Sequence, residues 1–258
     1  MADSAQKHIM IVTQSLHLGG TERHICFIAP HLRDAGWRVS IVCLSEPGIL
    51  AKEMIALGIT VYSPRQYDWY QKDNMWVWAR RIWRTARGIT LLRRLVDKDR
   101  PTIIHFFLPA AYFLGGVSLL GKRNLIKVMS RRSMNNYQKK YPVLRLVEGY
   151  LHKTMTAIMA NSANAIRQLQ EEGVPRKKLT LSYNGIPIPP LQRTEVDEFQ
   201  IACLANLIPY KGHADLLQAA AKFHHRGKNI AWRLKIVGQD RGIGEELRSL
   251  AEALGIDQ

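Results

Sequence analysis

The chain has 258 residues, of which 47% are hydrophobic and 22% charged, and this composition excludes a disordered or low-complexity protein. The formal net charge of +16 indicates an anionic partner: a nucleic acid, a phosphorylated ligand or an anionic membrane surface. Cys26, Cys43 and Cys203 are scattered through apolar runs, which argues against a disulfide scaffold or a zinc site. The start MADSAQKH lacks a signal-peptide pattern, and no apolar run approaches the roughly 20 residues of a membrane span, so a cytoplasmic protein is expected.

Strands and helices are predicted to alternate along the first 184 residues. The strands are expected at 9–13, 38–44, 59–63, 102–107, 125–130, 157–162 and 178–184, and the helices at 21–35, 48–58, 75–96, 109–121, 142–155 and 163–173. Most of these strands are apolar throughout, which is typical of a parallel sheet covered on both faces. The alternation predicts an α/β, doubly wound, Rossmann-like domain.

A segment rich in proline and charge, NGIPIPPLQRTEVDEF, separates this domain from a shorter second one. We predict a first domain at 1–184, a linker at 185–198 and a second domain at 199–258. The second domain holds two predicted strands, at 200–205 and 232–238, each followed by a helix. A parallel sheet of that size buries too little to stand alone, so we predict an incomplete domain.

The stretch LGGTERH follows the first strand and opens the first helix. Gly19 and Gly20 allow a ligand to approach the backbone, and Thr21 is expected to cap the helix. The helix start favours an anion, although the sequence matches neither GxGxxG nor a Walker loop. A tight turn without a ligand is the alternative.

His105 lies in or at the end of the fourth strand, and Lys211 and Gly212 follow the first strand of the second domain. The carboxyl edge of an open α/β sheet binds ligands, and a lysine at a helix start neutralises phosphate. A structural histidine and a solvated lysine are the alternatives for these positions.

Nine Lys or Arg and one acid, Glu148, lie between Gly121 and Lys153. Arg131 and Arg132 follow a strand, so we expect both to face the ligand edge and to bind an anionic acceptor or the inner face of a membrane. A solvated basic loop is the alternative. The predicted helix 75–96 is rich in Trp and Arg, which suits a core helix with an Arg-rich outer side or an interfacial membrane helix. We expect the first of these, with Ala86 and Ile89 on its apolar face.

The order of these motifs resembles the retaining nucleotide-sugar glycosyltransferases of family 4, which have the GT-B fold. LGGTERH is similar to the family's GGxE loop, IIHFF to its HxH strand with Phe107 in place of the second His, and LANLIPYKGHADLLQAA to the opening of its donor domain. The resemblance covers essentially the whole chain.

The resemblance implies two Rossmann-like domains, a sugar nucleotide bound mainly by the second and an acceptor mainly by the first, with no bound metal or other cofactor. It implies a catalytic role for His105 and places the acceptor or another anion near Glu22, Arg131 and Arg132. The donor phosphate would be bound by a set of five residues: Gly19, Gly20, Asn206, Lys211 and Gly212.

Two features depart from the family pattern. Asn206 stands where the family usually has an Arg that pairs with the Lys. The family's pair of Glu residues with seven residues between them, late in the donor domain, has no counterpart in this chain.

The sequence therefore predicts a glycosyltransferase that moves a sugar, with retention, to a glycan, lipid-linked or small-molecule acceptor. A truncated protein that binds acceptor or anion without transfer is the alternative. A nucleic-acid binder is disfavoured because no zinc finger, basic zipper or RNP-like motif is present.

Overall fold

A computed structural model of the chain describes residues 6–64, 77–122, 124–134, 141–188, 190, 198–226 and 230–257, with side chains of the third helix described from residue 85 onward. Its contacts divide the chain into two compact units, Met1–Pro187 and Ile188–Gln258. The division falls inside the segment 185–198 that the sequence predicts as a linker.

The first unit is built on a seven-stranded sheet in the order β3-β2-β1-β4-β5-β6-β7, and every neighbouring pair is parallel. The strands are β1 His8–Thr13, β2 Arg38–Cys43, β3 Thr60–Tyr62, β4 Ile103–Phe107, β5 Ile126–Arg131, β6 Ala157–Ala160 and β7 Leu179–Leu181. All seven predicted strands are present. Parallel pairing requires crossover helices on the faces, and both faces of β1 are buried for that reason.

In the described ranges of this unit, six helices cover the sheet: α1 Gly20–Asp34, α2 Ala51–Ala56, α3 Val77–Asp99, α4 Pro109–Ser118, α5 Pro142–Thr154 and α6 Ala163–Glu171. Two apolar clusters result among the described residues. One packs around Phe106, Tyr112 and Leu151, and the other around Ile11, Ile25 and Met54. The prediction of an α/β doubly wound domain is confirmed.

Two predicted details of the helices are wrong. Helix α1 begins at Gly20, so Gly19 is its N-cap residue and Thr21 lies inside the first turn without capping it. In helix α3 the predicted apolar-face residue Ala86 is exposed, whereas Ile89 is half-buried and Gly88 is buried against the backbone of Leu44, where a Cβ atom could not fit. Glycine at this position allows the helix backbone to approach the chain at Leu44, and the spacing of apolar residues does not predict such a contact. The predicted positions 75 and 76 lie outside the described residues.

The second unit contains strands β8 Phe199–Leu204 and β9 Trp232–Val237, which pair in parallel, and helices α7 His213–Arg226 and α8 Gly244–Ala253. Its described strands alternate between half-buried and exposed positions, and Leu204 is 80% exposed. Helix α7 buries Leu217, Ala220 and Ala221. Among the described residues of the chain, no helix is long and apolar enough to cross a membrane.

Candidate functional site

The strand order of the first unit places a crevice at one point of the sheet edge. Strand β1 pairs with β2 on one side and β4 on the other, so the chain leaves β1 and β4 in opposite directions around the sheet. Ligands of open α/β sheets bind at such a switch point, outside the carboxyl ends of the strands. The loop ending at Gly19 leaves β1 here, and Leu108 leaves β4.

The backbone at this edge is strained. Leu108 has φ 70° and ψ 149°, a conformation that is nearly exclusive to glycine, and it is the N-cap residue of α4. Residues held in such conformations cost about 1–3 kcal/mol and cluster at functional sites. Leu108 directly follows Phe107, so the strain marks the same switch point.

The Gly19–Gly20 turn forms the start of α1, and no side chain caps the helix there. Its first backbone N–H groups are therefore free of the usual capping oxygen. The space where a Cβ of Gly20 would lie is empty, whereas a Cβ on Gly19 would meet the carboxylate of Glu22. The Glu22 side chain thus folds back toward Gly19 at the helix start.

His105 lies in the interior of β4 rather than at its end. Its side chain is 7% exposed, and its Nε2 atom lies 2.8 Å from Ser130 Oγ in a hydrogen bond. Burial, with the nearby charges of Arg132 and His24, lowers the pKa of His105 to about 3. The ring is therefore neutral at physiological pH, and it can act as a hydrogen-bonding group but not as a cation.

Phe107 lies between three nitrogen-bearing side chains. Its ring centroid is 4.2 Å from that of His105, 6.4 Å from that of His24 and 5.6 Å from the guanidinium carbon of Arg132. Burial followed by the charge of Arg132 lowers the pKa of His24 to about 4, and burial lowers the pKa of Arg132 to about 10. The crevice is therefore cationic.

The motif predicts no role for His24, although the sequence contains a usable signal for this residue. It lies four residues after Gly20, and residues four apart on a helix share a face. The stretch GGTERH thus placed an imidazole on the same side of α1 as the glycine turn.

Arg131 does not face the ligand edge, which corrects the prediction for this residue. It is 4% exposed, and its guanidinium donates to Glu148 at 2.8 Å and to both carboxylate oxygens of Glu172 at 3.0 and 2.8 Å. His152 joins the network through Glu172 at 3.1 Å and through Tyr112 Oη at 2.8 Å. Consecutive strand residues point to opposite faces, so Arg131 enters this network and Arg132 reaches Phe107.

Glu148, His152 and Glu172 come close enough for their ligand atoms to hold a metal ion, within 4.8 Å of one another. Arg131 already neutralises both carboxylates. Burial raises the pKa of Glu172, but hydrogen bonds from His152 and Arg131 outweigh it and lower that pKa to about 2. The group is therefore an ion-pair network that joins β5, α5 and α6.

A cavity of about 460 Å³ adjoins α1 in the first unit. One helix face lines it with Gly20, Arg23, His24 and Phe27, and the segment Asn184–Pro187 lines the opposite side. Cavities of this size and mixed lining are typical of small-molecule sites. Since His24 also contacts the ring of Phe107, the cavity and the cationic crevice share that residue.

In the second unit, Lys211 ends a 3-10 turn at Pro209–Lys211, directly before α7. Its side chain is exposed, with Nζ 5.3 Å from the ring centroid of Tyr210. Gly212 has φ 74°, a left-handed conformation that favours glycine, and it turns the chain into the helix. The geometry leaves the ammonium available beside a helix N-terminus.

Asn206 has a structural contact. Its Oδ1 accepts a hydrogen bond from the Gln239 backbone at 3.2 Å, and its carbonyl lies 3.0 Å from Nε2 of His213. These bonds tie the loops after β8 and β9 to the start of α7. Its side chain is exposed, so its Nδ2 can still face a ligand.

The family model of Glycosyltransferase Family 4 matches residues 18–188, well over half of the chain. The chain belongs to glycosyltransferase family 4. It is therefore a glycosyltransferase, and the predicted family and α/β fold of GT-B type are confirmed. No curated protein was found to match the chain.

Solved glycosyltransferases share this fold at low identity. HepE of Anabaena, in complex with UDP-glucose, matches with a TM-score of 0.69 and 17% identity, over 97% of this chain and 67% of its own. A glycosyltransferase from Rickettsia africae matches with a TM-score of 0.65 and 16% identity, over 98% of this chain and 67% of its own. The lipopolysaccharide outer core galactosyltransferase WaaB, in its apo form, matches with a TM-score of 0.64 and 14% identity, over 98% of this chain and 66% of its own. The chain thus spans about two thirds of the length of these proteins.

Proposed function

We propose that this family 4 glycosyltransferase transfers a sugar from a nucleoside-diphosphate sugar to an acceptor with retention of configuration. Two helix starts support the proposal. No side chain caps the start of α1 at Gly20, and Lys211 lies directly before the start of α7. Similar structures of HepE contain UDP, UDP-glucose, or UDP and glucose, which supports a nucleotide-sugar donor.

The chemistry of the leaving group suits these residues. A nucleoside diphosphate gains negative charge as the glycosidic bond breaks, and preorganised donors that meet this charge lower the barrier. We propose that Gly19 and Gly20, and separately Lys211, Gly212 and Asn206, bind the donor phosphates. Because lysine and backbone N–H groups supply the positive charge, we propose transfer without a bound metal, and chelator-insensitive activity tests this.

The acceptor side is proposed to be the first unit. His105 would position the reacting sugar through its neutral ring, and Glu22 would accept hydrogen bonds from acceptor hydroxyls. Arg132 has the free guanidinium that an anionic acceptor needs, whereas Arg131 is paired internally. A glycan, a lipid-linked sugar or a small molecule would each fit this description.

Peripheral contact with an anionic inner membrane face is proposed for helix α5. Val143, Leu146 and Tyr150 are 69%, 76% and 58% exposed, and their spacing places them on one helix face. Arg145 and Lys153 are exposed on the same helix, while its Glu148 is buried and paired. Apolar side chains flanked by cations are typical of interfacial helices.

Lys211→Ala tests the donor assignment. We expect the variant to bind UDP roughly tenfold or more weakly by calorimetry, because a charge-assisted contact to phosphate is lost. Lys222→Ala, which removes an exposed lysine from α7, is the matched control and should bind UDP like the unchanged chain.

Equal UDP affinity in the two lysine variants would reject the role of Lys211. Incubation with UDP-sugars and acceptors then separates the two functions: NMR of the product's anomeric proton shows retention or inversion. A chain that binds UDP or acceptor but forms no product would support binding without transfer.

A further inference from the structure

Arg132 carries unused hydrogen-bonding capacity. Within the described part of the chain, its buried Nε and Nη2 atoms have no hydrogen-bond partner, and no carboxylate pairs with it. Its neighbour Arg131 meets two carboxylates. Buried hydrogen-bond donors without a partner cost free energy. A ligand that supplies hydrogen-bond acceptors to these donors therefore removes that cost when it binds.

The imidazoles near Arg132 are neutral and do not offset its charge. The Nδ1 atom of His24 is likewise buried, with no hydrogen-bond partner in the described part of the chain. After burial, the charge of Arg132 is the next cause that lowers the pKa of both His24 and His105. The guanidinium carbon of Arg132 lies 5.6 Å from the ring centroid of Phe107, which provides an apolar surface beside the guanidinium.

A guanidinium beside an imidazole has one natural ligand, an oxyanion. Arginine presents parallel N–H donors that match two oxygens of a carboxylate or phosphate. Because Arg132 is only half-buried, the rest of its side chain can adjust at the crevice rim. The 460 Å³ cavity that His24 lines has room for the body of a sugar-sized molecule.

We propose that Arg132 and His24 form an oxyanion site for the acceptor, so that the acceptor carries a phosphate or carboxylate group. This deepens the proposed function and rests on it only in naming the ligand an acceptor. The donor phosphates are assigned to the turns at Gly20 and Lys211. His24 lies one helical turn, about 6 Å along the helix axis, beyond Gly20, so separate titrations with UDP and with simple anions are needed to distinguish the two assignments.

Calorimetry with inorganic phosphate, D-glucuronate and uncharged D-glucose tests the site, with UDP titrated separately. We expect Arg132→Gln to weaken phosphate or glucuronate binding about tenfold or more and to leave UDP affinity within twofold. Arg132→Lys keeps the charge but loses the paired N–H donors of the guanidinium. Its anion affinity should lie between those of the unchanged chain and Arg132→Gln. Lys98→Gln, an exposed residue near the end of α3, is the control for net charge.

The preferred anion identifies the acceptor group: phosphate points to a phosphorylated acceptor and glucuronate to an acidic sugar. NMR of the His24 ring supplies a readout that folding alone would not change, since a bound anion should raise its pKa from about 4. Equal anion binding by Arg132→Gln and Lys98→Gln overturns the proposal. An equal loss of UDP and phosphate in Arg132→Gln also overturns it, because Arg132 would then bind the donor.

The two proposals fail separately. If the unchanged chain binds phosphate through Arg132 but no UDP, the donor assignment is wrong and the oxyanion site stands. If it binds UDP but no anion, the donor assignment stands alone.

Discussion

Single side chains at the carboxyl edge of the first sheet have roles that their neighbours in sequence do not share. Arg131 and Arg132 are adjacent, yet Arg131 is held in ion pairs in the interior, whereas Arg132 keeps two guanidinium nitrogens without a hydrogen-bond partner among the described residues. His105 is similarly placed by its strand: it hydrogen-bonds Ser130 from inside the sheet, and Phe107 occupies the last position of β4. A test of His105 therefore has to distinguish a role in packing from a role in glycosyl transfer.

We expect His105→Ala to lower turnover about tenfold or more while UDP affinity changes by less than twofold, since correct orientation of reactants is worth orders of magnitude in rate. The measurement is steady-state transfer together with UDP calorimetry on the same sample. Ser130→Ala is the matched variant, because it removes the hydrogen bond but keeps the ring. Unchanged turnover in His105→Ala would remove His105 from the site and leave it a structural residue.

At the scale of elements, helix α5 has two different faces. One face carries Glu148, Leu151 and His152 into the interior, and the opposite face exposes apolar side chains to solvent. Exposed apolar groups in one stripe mark an interaction surface more often than scattered ones do.

Replacing Leu146 and Tyr150 together by Ser should weaken binding to vesicles that contain anionic phosphatidylglycerol by about tenfold, because burying such side chains is worth about 1.5–3 kcal/mol each at full burial. Cosedimentation measures this, and neutral phosphatidylcholine vesicles should bind the unchanged chain weakly. Ile55→Ser is the control, since Ile55 is 50% exposed on α2. Equal cosedimentation of all three proteins would exclude α5 as the membrane contact.

At the scale of the whole chain, the buried histidines of the first unit link stability to pH. The pKa of His24 is lowered to about 4 and that of His105 to about 3, in both cases first by burial, and that of His8 is lowered as well. The native rings stay neutral where the unfolded rings, with a pKa near 6.5, take up protons. The unfolded state therefore binds more protons below about pH 6.5, and acid destabilises the fold.

The contribution of these histidines to the free energy of unfolding should be fully present above pH 6.5 and should fall as pH decreases toward 4, by up to about 2 kcal/mol each for His24 and His105 between pH 7 and pH 5. Glu172, whose pKa is lowered to about 2, adds a further loss below its unfolded pKa of 4.5. Urea titrations at a series of pH values measure this. His24→Gln should flatten the dependence between pH 6.5 and 5, and stability that is constant or rising over that range would contradict the account.

The amino-acid sequence alone is enough to predict the strands, the helices and the parallel sheet. Uninterrupted apolar runs such as that of β1 require cover on both faces, and glycine turns separate them from amphipathic stretches. The order of LGGTERH, IIHFF and PYKG also predicted the family, because it depends on local motifs and their sequence.

The composition of the site depends on the tertiary structure. The fold brings His24 of α1 near Phe107 of β4, and it directs Arg131, the last residue of β5, and Arg132, the next residue, to different partners. These relations depend on crossover packing and on the alternation of side chains, which set the partners of a residue many positions away. The sequence shows which residues can bind an anion, whereas the fold determines which of them are already paired.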